Sequence, residues 1–114
     1  MGRAFVIQIE LHLRPDGTLK YLNAVGHAVR RHDKGFSPAC AAVSSALRST
    51  ARLLAATQGV SVSGEAPEEG MFRLELQKRG FMRRGYLRGV SAALLQILND
   101  LAAENPTEVQ VVIR

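Results

Sequence analysis

The sequence predicts an α/β domain of two layers, with the element order β-β-α-β-β-α-β and both helices packed on one face of the sheet. Three observations lead there. Residues near the start of the chain alternate apolar and polar with the period of a strand. Two longer stretches repeat apolar residues with the period of a helix, and short apolar runs bounded by turn residues fill the gaps. With 114 residues, 46% of them apolar and 22% charged, the chain has the size of one domain with one core. No internal repeat, linker or low-complexity tract divides residues 1–114.

The first strand is read over residues 5–13, where Phe5, Ile7, Ile9, Leu11 and Leu13 alternate with Val6, Gln8, Glu10 and His12. Pro15, Asp16 and Gly17 then supply a fixed φ, an Asx-turn former and a residue that tolerates positive φ, so the chain reverses. The return arm runs over 19–25, with Leu19, Tyr21 and Val25 expected on one face and Gly26 ending it. Residues 27–36 lack either period and read as a mobile, basic loop. A helix follows, with Ser37 as N-cap, Pro38 at the first helical position, and Val43, Ala46, Leu47 and Leu54 at helical spacing until Gln58 and Gly59. A short strand at 60–63, a turn at 64–70 and an alternating strand at 71–77 come next. A basic link at 78–84 leads to a second helix striped by Leu87, Val90, Leu94, Ile97, Leu98 and Leu101. Asn105 and Pro106 stop it, and 109–113 is a short apolar strand.

Composition also narrows the chemistry. No stretch approaches the roughly 18 uncharged apolar residues of a membrane span. Residues 1–14 lack the layout of a secretory signal, so a cytoplasmic protein is expected. The net charge of +5 suits a phosphate-bearing partner or, equally, a scattered basic surface. Three histidines and one cysteine show no zinc spacing. Gly80, Gly85 and Gly89, interspersed with Arg83, Arg84 and Arg88, do not form a phosphate loop and are read as turns with solvated arginines. No metal and no cofactor are expected.

Cys40 draws notice because the helix signals put it at the third helical position. The first turn of a helix presents unpaired N–H groups and the positive end of the dipole, both of which favour a thiolate. A nucleophile also needs a base, and His27 stands where the second strand ends, at the mouth of the loop leading into this helix. By spacing alone, a lone cysteine in an alanine-rich helix is more often a core residue.

Gly26-His27-Ala28, the loop with Gly35, and Cys40-Ala41-Ala42-Val43-Ser44-Ser45-Ala46 resemble the ribosomal-processing cysteine protease family Prp, the YsxB-like proteins. The resemblance extends to the order of strands and helices over almost the whole chain. It implies His27 as the catalytic histidine and Cys40 as the nucleophile. It further implies an endopeptidase that removes the N-terminal extension of large-subunit ribosomal protein twenty-seven in support of ribosome assembly, a homodimer, and a mobile loop over the site. One position departs from the family: its Gly-x-Asp-x-x-Cys pattern has Ser37 in place of the aspartate. Serine still caps the helix but brings no charge to an imidazolium, and Asp33 is the nearest substitute in sequence.

On this reading His27 takes the Cys40 proton, helix-start N–H groups line an oxyanion hole, and the peptide binds extended between the 27–36 loop and the helix. The first alternative is a noncatalytic ribosome- or RNA-associated α/β module with a structural cysteine, favoured by the charge and by a ribosomal RNA contact through Arg83, Arg84 and Arg88. With two Tyr, four Phe and no Trp it would have few stacking platforms. The second is a structural homodimer in which Cys40 is simply packed.

Overall fold

A computed structural model describes residues 7–26, 38–65, 71–79 and 83–114. The elements run β1 (Ile7–Leu13), β2 (Leu19–Gly26), α1 (Pro38–Ala55), β3 (Val60–Glu65), β4 (Met71–Arg79), α2 (Arg84–Glu104) and β5 (Val109–Ile113). They form one five-stranded sheet in the order β3-β4-β2-β1-β5, antiparallel throughout except for the parallel pair β1–β5. The predicted two-layer α/β fold is the observed one.

Burial explains the layering. Ile7, Ile9 and Leu11 of β1, Leu22 and Ala24 of β2, Leu74 and Leu76 of β4 and Val109 of β5 are buried on one face of the sheet. Against them lie Ala39, Val43, Leu47 and Leu54 of α1 and Leu87, Leu94 and Leu98 of α2. The other face carries Gln8, Glu10, His12, Tyr21 and Asn23 and has no second layer among the described residues. There Glu10 accepts from His12 at 3.1 Å and Arg114 at 2.8 Å, and the His12 and Tyr21 rings stack 4.2 Å apart.

The β1–β2 turn is built as its residues require. Gly17 takes φ +90°, and Thr18 donates its N–H and hydroxyl to Asp16 Oδ1 at 3.0 and 2.8 Å. Just beyond it the hairpin departs from the expected alternation. His12 pairs with Tyr21 but Leu13 pairs with Leu19, so Lys20 is an extra residue on β2. This bulge puts Leu19 into the core with Leu22 and Ala24, whereas Tyr21 and Val25 stay on the open face; the expected grouping of Leu19 with Tyr21 and Val25 is corrected. The Leu19 N–H at the bulge donates to Ser91 Oγ of α2 at 2.9 Å, which satisfies two buried polar groups at once.

The second helix begins at Arg84, so Gly85 and Gly89 lie inside it rather than in turns. The apolar spacing of Leu87, Leu94 and Leu98 overrides the glycines. Ile97, expected in the stripe, is 45% exposed, and Ser91 takes a buried position instead. At the other end Asn105 donates both its backbone N–H and its Nδ2 to the Leu101 carbonyl, at 2.9 and 3.0 Å, before Pro106 ends the helix. No described helix is long and apolar enough to cross a membrane.

Candidate active site

The register brings three chain segments to one end of the sheet. Ile7, at the start of β1, pairs with Gly26 on one side and Val109 on the other, and its N–H donates to the Glu108 carbonyl at 2.8 Å. With strands about 4.8 Å apart, the end of β2 and the start of β5 are separated by roughly 10 Å. Gly26 fits closely here: a Cβ at this position would stand 3.0 Å from Ile7 Cγ1 and 3.2 Å from Ile7 Cα. The glycine that precedes His27 thus lets β2 lie tight against β1 as far as its last residue.

The helix α1 starts with Pro38, whose missing N–H costs nothing at that position, and Cys40 is its third residue as predicted. Ala39 is buried, whereas Cys40 is only partly buried and packs on the edge of the core. Its ionisation differs from the expectation drawn from the helix start. Burial pushes the Cys40 thiol up from its ordinary value, and the Glu108 carboxylate acts in the same direction. Desolvation and a nearby negative charge both disfavour a thiolate, opposite in sign to the effect of a helix start. Both effects give a base more to do in removing the thiol proton.

His27, Ser37, Asp33 and the 27–36 loop lie outside the described residues. Glu108, which the sequence alone does not bring forward, is a charged group that acts on Cys40. No local spacing reveals it, because only the parallel insertion of β5 beside β1 brings it to this end of the molecule. Among the described residues no group of three or more His, Cys, Asp or Glu could hold a metal ion. A depression of about 250 Å³ lined by Gln8, Glu10, Asn23, Val25, Gln110 and Arg114 lies on the open face of the sheet, on the side away from the helices and Cys40.

Sheet order, helix placement and the thiol at the start of the first helix together describe a two-layer α/β domain whose single cysteine lies at the end of its sheet. That fold is the one of the ribosomal processing protease Prp. The Staphylococcus aureus enzyme in complex with a covalently linked product peptide matches with a TM-score of 0.78 at 14% identity, over 96% of this chain and 100% of that one. The same enzyme with a substrate peptide gives 0.75 at 13% identity over the same shares. The protein SMU.848 from Streptococcus mutans gives 0.74 at 23% identity, over 95% of this chain and 93% of its own. No protein-family model matches the sequence, and no curated protein does.

Proposed function

We propose that this chain is a cysteine endopeptidase that removes the N-terminal extension of large-subunit ribosomal protein twenty-seven, with Cys40 as nucleophile and His27 as general base and acid. One observation carries the reading: the chain's single cysteine occupies the first turn of α1 in a fold shared end to end with a protease crystallised with a covalently linked product peptide. The register at the sheet end supports the pairing. Gly26, to which His27 is bonded, is two strands from the Glu108 that acts on Cys40.

In the reaction His27 takes the Cys40 proton, and the sulfur attacks the scissile carbonyl to form a tetrahedral intermediate. Backbone N–H groups at the start of α1 stabilise its oxyanion. The imidazolium then protonates the departing amine as the C–N bond breaks and a thioester forms. Water, deprotonated by His27, hydrolyses the thioester to the carboxylic product and the free thiol. Ser37, which stands where the family has aspartate, belongs to the same proposal as a helix cap without charge. A cytoplasmic homodimer working at the ribosome completes the proposal.

The test is cleavage of an extended ribosomal substrate followed by mass spectrometry. Cys40→Ala abolishes cleavage with an unchanged circular dichroism spectrum; full retention removes Cys40 from the mechanism. His27→Ala loses hydrolysis by on the order of a hundredfold or more, since the leaving amine receives no proton, but still reacts with a small alkylating reagent at alkaline pH, where the thiol ionises without a base. Near-wild-type hydrolysis by folded His27→Ala excludes it as the base. The upward displacement of the Cys40 thiol favours a second reading, a noncatalytic ribosome- or RNA-associated module with a structural cysteine. On that reading no cleavage is detected in the wild type either, and the thiol alkylates slowly.

A further inference from the structure

Five arginines outside the candidate site lie toward the opposite end of the molecule. Val60, the first residue of β3 after α1, pairs with Arg79, the last of β4 before α2, so α1 ends and α2 begins at the same end of the sheet. Two contacts fasten this end: Arg83 Nε donates to the Gln58 carbonyl at 3.0 Å, and Arg84 Nε lies 3.6 Å from Asp16 Oδ2 in the β1–β2 turn. Arg48 and Arg52, in the last turns of α1, and Arg84 and Arg88, in the first turns of α2, are all exposed. No carboxylate occurs in α1, and none in α2 before Asp100. Asp100, Glu104 and Glu108 follow at the far end, toward Cys40.

Two features of this surface work against the stability of the isolated chain. Arg84 and Arg88 put positive charge at the positive end of the α2 dipole, and no side chain caps that end. Gly85 and Gly89 lie on the exposed side of the same turns, where a Cβ would meet nothing within 4 Å. Alanine would be the better helix former at both positions, and no contact within the described residues demands glycine. Arginines around a stripe without side chains form a surface that an anionic backbone can approach closely.

We propose that this arginine-bearing end of the helical layer, formed by Arg48, Arg52, Arg83, Arg84 and Arg88 around Gly85 and Gly89, docks on the phosphodiester backbone of double-helical RNA. Charge complementarity selects a polyanion. Two helices side by side are too broad for the major groove of B-form DNA, which admits one helix, but they suit the wide, shallow minor groove of A-form RNA. Anionic membranes are disfavoured because only two large apolar side chains, Leu53 and Tyr86, are exposed in the last turns of α1 and the first turns of α2, fewer than the apolar face of a membrane-surface helix. The inference does not depend on Cys40 being a nucleophile.

The test measures binding of the full chain to an RNA hairpin with a long stem, to a B-form DNA duplex of equal length and to anionic phospholipid vesicles, at several salt concentrations. The expected result is preference for the RNA, with a log–log salt slope of roughly −3. Arg52→Glu combined with Arg88→Glu should weaken RNA binding at least tenfold and flatten that slope, while the circular dichroism spectrum stays native. Gly85→Ala combined with Gly89→Ala should raise the melting temperature and still weaken RNA binding several-fold. Equal RNA affinity in the charge-reversed variant overturns the proposal. So does tighter binding to DNA or vesicles, or no RNA binding by the wild type at low salt.

Discussion

Two opposing influences meet at Cys40. Its place in the first turn of α1 favours a thiolate, whereas burial, first, and Glu108 displace the thiol upward from its ordinary value. Two measurements follow from the sign. The alkylation rate should rise with pH around a midpoint above that of an ordinary thiol, and Glu108→Gln should move the midpoint down; an unmoved midpoint would mean that Glu108 does not act on the sulfur. Because the folded thiol ionises above the unfolded one, its contribution to stability is complete below the ordinary thiol range. That contribution is lost as pH rises through the folded value, which denaturation midpoints across the alkaline range would record. The position of Cys40 in the helix was legible from Ser37 and Pro38, a capping residue followed by proline. Glu108 was not legible, since its closeness to Cys40 arises from strand pairing between distant parts of the chain.

At the level of elements, local chemistry was read more easily than packing. The Pro15-Asp16-Gly17 turn, the proline-led start of α1 and the asparagine-capped end of α2 each follow from residues adjacent in sequence. The β2 bulge does not, because strict alternation is assumed when a strand is read and one extra residue reverses the parity of everything beyond it. Gly85 and Gly89 misled for a related reason: glycine marks turns statistically, but the apolar stripe of α2 outweighs a penalty of about 1 kcal/mol at each. Ser91 ties the bulge to the helix. Ser91→Ala leaves the buried Leu19 N–H without its acceptor and should cost about 1–3 kcal/mol, read from urea denaturation midpoints at constant slope. Ser91→Thr retains the hydroxyl and provides the comparison.

Across the whole molecule, the sheet and helices enclose one core, so a large-to-small change at its centre is felt globally. Leu98, fully buried between α2 and the sheet, should cost about 2–5 kcal/mol on replacement by alanine. The placement of β5 has a consequence of another kind. Its pairing with β1 joins Ile7 to Val109, nearly the full span of the described chain, whereas β1–β2 and β3–β4 join neighbours in sequence. Closing so long a loop has the largest entropic cost of any strand pairing in the sheet, which places it late on the path to the native state. Conservative truncations in β5, such as Val109→Ala and Val111→Ala, should therefore speed unfolding and leave the refolding rate nearly unchanged. The same change in the β1–β2 hairpin, Ile9→Val, should slow refolding, and a denaturant chevron for each variant separates the two. The strand that brings Glu108 to the thiol would then be the part of the sheet whose loss governs how long the native molecule persists.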